Sequence, residues 1–115
     1  MPRRPNAQGS AALKGAAPMF AALGDENRLR IVSRLCHDGP LSITSLTAGT
    51  DVTRQAITKH LRVMHDAGLV HVTRLGRETV WELEPRRVEQ ARRHLEQISS
   101  DWDRALERLK RFVED

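Results

Sequence analysis

The chain has a single cysteine, no tyrosine and only four aromatic side chains, Phe20, Trp81, Trp102 and Phe112. One cysteine excludes an intrachain disulfide framework and suits a reducing compartment, so a cytoplasmic location is expected. No apolar run approaches the about 18 residues of a membrane-spanning helix. The opening stretch is rich in Ala and Gly but lacks the unbroken apolar segment of a signal peptide. No membrane partner is therefore expected. The sequence also has no phosphate-cradling glycine loop, no nucleophile-elbow signature and no recognisable carboxylate pair, which argues against an enzyme with a catalytic set.

What remains is a basic chain of 115 residues with 39% hydrophobic content. Nineteen Lys and Arg against fifteen Asp and Glu leave a formal charge of +4, which favours an acidic partner. The length suits one small domain, and a domain this small buries a modest share of its surface. A second copy is a natural way to complete its core.

Residues 1–15, with Arg3 and Arg4, mix Pro, Gly, Ala and basic side chains without periodicity and read as a mobile tail. Order is expected from Ala16, where Met19, Phe20 and Leu23 form a short apolar face that Gly24 stops as a C-cap. Asp25 reads as the N-cap of a second helix, with Leu29, Val32, Leu35 and Cys36 on one face and Asp38-Gly39-Pro40 as its end. Ser42 can cap a short third helix carrying Ile43 and Leu46 inward. A fourth helix is expected from Thr53 to about Ala67. Two strands follow, Leu69–Arg74 and Thr79–Glu84, in which Val70, Val72, Trp81 and Leu83 alternate with polar residues around a tip at Leu75–Glu78. From Pro85, apolar positions Val88, Ala91, Leu95, Ile98, Trp102, Ala105, Leu109 and Phe112 recur in steps of three and four. They predict one long helix over 85–115, part of the same domain as 16–84.

At 100° per residue the fourth helix turns Ile57, Leu61 and Met64 to one side, within about 60° of one another. Arg54, Gln55, Thr58, Lys59 and Arg62 take a separate arc with no acidic group. Arg forks onto guanine, Gln onto adenine, and Thr offers a hydroxyl or a methyl, so this arc suits the DNA major groove. Thr53 and the helix N-terminus beside it can meet a phosphate. A short helix, a turn, an amphipathic helix and a two-stranded hairpin make a winged helix-turn-helix. The hairpin adds Arg74 and Arg77, suited to the backbone or a narrow minor groove. Residues 53–77 hold five cations and one acid, whereas 84–115 hold eight of each. The excess charge lies where a phosphate-binding face needs it. The fold class is thus mainly α with a small β-hairpin wing and a long C-terminal dimerisation helix.

The run Phe20-Ala-Ala-Leu-Gly-Asp-Glu-Asn-Arg-Leu-Arg-Ile-Val, then Thr53-Arg-Gln-Ala-Ile-Thr-Lys-His-Leu, Asp66-Ala-Gly-Leu-Val and Gly76-Arg-Glu resembles the ArsR/SmtB family of winged-helix transcriptional regulators. The likeness covers about residues 16–98, and the tail from Ile98 is similar to a branch with an extended final helix. The resemblance implies a homodimer that sets two recognition helices in successive major grooves of a palindromic operator, represses by occluding a promoter and is released by an effector. The sequence departs from the metal-sensing members. Leu41–Thr47 carries no Cys-x-Cys pair, and the last helix has only His94, with Gln97 where a carboxylate would help. No metal and no cofactor are expected.

Phe20, Leu95, Ile98, Trp102, Leu109 and Phe112 are the expected dimer contacts, because the stripe runs beyond the reach of a compact body. Trp81 is expected to pack the wing on the helices. Cys36 reads as buried packing, His60 as a packing or hydrogen-bonding residue, and His65 and His71 as solvated. Glu89 with Arg93 and Glu107 with Arg111 are spaced as ion pairs, and Arg86, Arg87, Arg92 and Arg93 form a solvated face or extend the basic surface. Two other readings keep the same fold: a sensor acting through Cys36 or a small apolar ligand in the dimer seam, and a module that recruits a protein along the long helix.

Overall fold

The computed structural model describes residues 13–114, so the tail expected over 1–15 lies outside the described residues as far as residue 12, Arg3 and Arg4 included. The elements are α1 (Ala16–Leu23), α2 (Glu26–Asp38), α3 (Ile43–Thr47), α4 (Arg54–Asp66), β1 (Val70–Leu75), β2 (Glu78–Leu83) and α5 (Pro85–Glu114).

Three polar caps set the helix starts, each where its side chain can satisfy an otherwise unpaired N–H. Asp25 accepts from the backbone of Asn27 at 2.8 Å and of Arg28 at 3.2 Å. Ser42 accepts from Ser45 at 3.1 Å and Thr53 from Ala56 at 3.1 Å. Gly24 ends α1 with φ −79°, so it does not use the left-handed freedom of a glycine cap.

The core gathers Met19 and Ala22 of α1, Ile31 and Leu35 of α2, Leu46 of α3, and Ile57, Leu61 and Met64 of α4, closed by Leu69 and Val70. Leu61 and Met64 are 0% exposed, so the apolar side of α4 is fully spent inside its own domain. Truncation of Leu61 to alanine would cost about 2–5 kcal/mol.

The second helix corrects the expected burial of Cys36, whose side chain is exposed. Leu29 is exposed as well. The buried stripe of α2 is centred on Ile31 and Leu35, and Leu29 and Cys36 lie more than about 90° round the helix from that line.

β1 and β2 pair antiparallel from Val70↔Leu83 to Leu75↔Glu78, so the loop is the two residues Gly76 and Arg77. Gly76, at φ +63°, occupies the first loop position, which fits a type II′ turn. Trp81 and Leu41 exchange backbone hydrogen bonds of 2.8 and 3.0 Å, tying the hairpin to the segment before α3. The Trp81 ring packs partly buried against the core, as expected. Val72 is 43% exposed, whereas Val80, one pair nearer the tip, is 4% exposed.

α5 runs for 30 residues, about 45 Å of helix. Only His94 on it is buried, with Ala91 packed partly against the core. The radius of gyration is 18.4 Å against about 13 Å for a compact chain of this length, because α5 projects from the body. Glu107 and Arg111 form no ion pair; among the described residues the bridges on α5 are Arg92 with Glu89 and Glu96, Arg93 with Glu89, and Arg104 with Asp101.

Candidate nucleic-acid interface

The geometry of α4 follows from its caps and its neighbours. Asp25, Arg28 and His60 form a node behind it. Arg28 donates to the carbonyls of Ala22 and Ala21 at the end of α1, and one of its guanidinium nitrogens lies 3.4 Å from His60 Nδ1. His60 Nε2 is 4.0 Å from Asp25 Oδ1. The Asp25 carboxyl is held below its ordinary pKa, first by the backbone N–H of Arg28, then by that of Asn27 and by the charges of His60 and Arg28. This node links α1, α2 and the inner flank of α4, so the outer arc of α4 is presented from a fixed base.

On that arc Thr53, Arg54, Gln55, Lys59 and Arg62 are exposed and Thr58 is half-buried. Arg54 donates to Thr44 Oγ1 at 3.1 Å, so α3 steadies its guanidinium without neutralising it. The Thr58 hydroxyl donates back to the Arg54 carbonyl at 2.9 Å, which leaves its methyl for a partner. Thr53 spends its hydroxyl as the cap, and no acidic residue occupies the first turn of α4. Arg74 and Arg77 are exposed on the hairpin, Arg77 at the turn itself. Among the described residues, no ion pair involves Arg54, Lys59, Arg62, Arg74 or Arg77. Five uncompensated cations and an open helix N-terminus can serve phosphates, while Arg54 and Gln55 carry the hydrogen-bonding groups that read base edges.

The histidines divide differently from expectation. His65 is exposed, edge-on to Trp81 at 6.2 Å. His71 keeps 37% of its side chain exposed but is not free: its ring lies between Glu82 at 3.2 Å and Glu84 at 3.1 Å. Glu82 sits opposite His71 in the strand register, and that pairing is a signal the hairpin alignment carries.

The expected dimer residues lie at two depths. Phe20 is half-buried, its ring edge-on to His94 at 6.2 Å, and Ile98 is half-buried. Leu95, Trp102, Leu109 and Phe112 are 55, 67, 59 and 83% exposed. Leu106 and Val113, 53 and 81% exposed, belong to the same apolar surface; a stripe traced one residue wide along the sequence misses them. No helix is long and apolar enough to cross a membrane among the described residues.

A short helix, a turn, an amphipathic helix with an uncompensated basic face and a β-hairpin directly after it define a winged helix-turn-helix DNA-binding protein. Residues 23–73 match the family described as a helix-turn-helix domain. The HTH-type transcriptional regulator Rv2034 of Mycobacterium tuberculosis is 37% identical over 87 residues, 76% of this chain and 78% of that protein. An ArsR-like transcriptional regulator from Rhodococcus sp. RHA1 has the same fold, with a TM-score of 0.68 and 35% identity over 89% of this chain and 95% of that one. A homodimeric winged helix-turn-helix DNA-binding domain from Mycobacterium bovis matches at a TM-score of 0.59 and 22% identity, covering 86% and 90% of the two chains, and shows the fold alone. The chain belongs to the ArsR family of transcriptional regulators.

Proposed function

We propose that this regulator is a homodimeric repressor that inserts α4 of each protomer into successive major grooves of a palindromic operator. Arg54, Gln55 and Thr58 read base edges, Thr53, Lys59 and Arg62 hold the backbone beside them, and Arg74 and Arg77 brace the backbone or minor groove. The observation that carries this reading is the set of five exposed cations on α4 and the hairpin with no carboxylate against them. The apolar surface of α5 supports a second copy as partner, because a long exposed stripe of this kind needs covering. Two-fold symmetry places the half-sites about 34–36 Å apart. Promoter occlusion is the mode of action, and the regulator works in the cytoplasm.

Fluorescence anisotropy with a labelled duplex of the gene's own upstream region tests this. Binding that weakens steeply as salt rises, with a log–log slope near −0.9 per phosphate contacted, is the expected result. Absence of binding at low salt, or an affinity indifferent to salt, overturns the reading in favour of a protein-interaction module.

A further inference from the structure

Away from the recognition face, the start of α5 and the turn before α1 border an open cavity of about 420 Å³. Lys14, Arg87, Gln90, Arg93, His94 and Gln97 line it, and no carboxylate does. Gly15 completes the rim. It is the N-cap of α1 at φ +83°, with no side chain to cap the helix and no acidic residue in the first turn.

His94 supplies the second, independent observation. It is 8% exposed, the one polar side chain buried among the described residues, and its Nδ1 has no hydrogen-bond partner there. A buried polar atom without a partner is costly, and a negative charge in the adjoining cleft acts on the ring through space. The side chains around it are donors. Arg87 already uses the Gln90 carbonyl oxygen, at 3.0 Å, which leaves the amide NH₂ of Gln90. The nearest carboxylate, Glu89, lies 3.5 Å from Arg93 but is held by Arg92 at 2.8 Å, and that hydrogen bond is the largest cause of its lowered pKa.

We propose that this cavity binds a small organic anion through a carboxylate or phosphate head group. Arg87 and Arg93 grip the oxygens, the His94 ring forms part of the wall behind them, and Lys14 adds charge at the rim. The cavity volume falls in the range of small-ligand sites and exceeds what a bare inorganic ion would fill. Arg87 also reaches the DNA-binding unit. Its Nε lies 2.9 Å from the position a Cβ on Gly68 would take, so the side chain covers the turn that immediately follows α4. An anion that draws the guanidinium into the cavity alters the contact beneath the end of the recognition helix. This regulatory consequence, unlike the binding site itself, rests on the DNA-binding reading.

The test uses the full chain without DNA. Inorganic phosphate, glycerol 3-phosphate and succinate are titrated at constant ionic strength against chloride, with heat and the His94 ring resonances as readouts. A saturable shift at His94 is expected with at least one of them, and which one responds assigns the head group. Arg87→Gln and Arg93→Gln should each weaken that binding at least about tenfold, as removal of a charge-assisted contact does. Arg104→Gln, further along the same helix, should leave it unchanged. Shifts that follow ionic strength without saturating, no response to any of the three, or equal binding by the Arg87 and Arg93 variants overturn the site. Duplex anisotropy with and without the responding anion is read separately: a chain that binds no duplex fails the regulatory reading, and one that binds duplex but no anion fails this site.

Discussion

The two amphipathic helices of the chain, α4 and α5, are unsatisfied in opposite ways. On α4 the apolar side is consumed within the protomer, Ile57, Leu61 and Met64 being at most 3% exposed, while its cations stand without acidic partners. On α5 acids and cations balance eight to eight over 84–115, and Arg92, Arg93 and Arg104 pair along the helix with Glu89, Glu96 and Asp101, while Leu95, Trp102, Leu106, Leu109, Phe112 and Val113 stand open. The count of basic residues does not separate a nucleic-acid surface from a solvated one, because α5 carries more of them than α4. The local balance separates them: 84–115 carries one acid for each cation, whereas 53–77 carries one acid for five cations. Each helix advertises its partner by what its own protomer fails to supply: a polyanion for α4, an apolar surface for α5.

The sharpest way to break this contrast is to remove charge from α4. Arg54→Ala with Lys59→Ala deletes two cationic side chains in each of two protomers, so operator affinity should fall about a thousandfold if each is worth about 1 kcal/mol. The salt slope should flatten by about two, since Lys59 of each protomer no longer neutralises a phosphate. Anisotropy across a salt series measures both. An unchanged affinity would remove α4 from the interface.

The next largest effect comes from charging the apolar side of α5. Trp102→Asp with Leu109→Asp replaces two residues that are 67 and 59% exposed in the protomer, so the protomer's own packing should survive. Sedimentation should show monomers where the parent forms dimers. Duplex affinity should then drop by about a hundredfold, the lower range for losing one of two linked sites. A variant that stays dimeric would place the second copy on some other surface.

Much of this division is legible in residue order. The 3.6-residue period of α4, its Thr53 cap and its acid-free outer arc are local properties, and local physics decides them. The length of α5 is legible for the same reason. Less local facts are not. Periodicity misplaces the stripe of α2 because Leu29 and Cys36 read as apolar beside Val32 and Leu35, and only packing against α1, α4 and β2 chooses between two overlapping arcs. His71 reads as solvated in the sequence because one of its carboxylates comes from the opposite strand and the other from the hinge into α5. Glu107 and Arg111 have helical ion-pair spacing yet do not meet, since spacing permits a pair without compelling it. The Arg87–Gly68 contact joins two elements nineteen positions apart and leaves no trace in either segment alone.

A smaller effect probes the base that holds α4. Asp25 caps α2 and faces His60 of α4, and its carboxyl titrates below the ordinary value in the folded chain. A depressed carboxylate adds stability above its unfolded pKa, and that stability disappears as pH falls through the folded pKa. Thermal melts should therefore show extra destabilisation below about pH 4 in the parent chain. Asp25→Asn keeps a capping oxygen but cannot titrate, so part of that acid sensitivity should be absent from it. Equal melting profiles for both chains between pH 7 and pH 3 would mean that the α1–α2–α4 node contributes nothing through charge.

The smallest expected effect is the one that tests the logic of the comparison. Arg104→Ala removes a cation that Asp101 already neutralises on an exposed turn of α5. Exposed pairs of this kind contribute about 0–1 kcal/mol to stability, and the net charge of the surface facing solvent changes only by uncovering one carboxylate. Duplex affinity should stay within about twofold of the parent, and the salt slope should not move, because every phosphate keeps its cation. Arg62→Ala, which removes one cation of the same kind from a surface without counter-charge, should lower affinity and flatten the slope by about one to two across the dimer. If the two substitutions were equivalent, the binding would be reading total charge, and the difference between a compensated and an uncompensated arginine would carry no functional information.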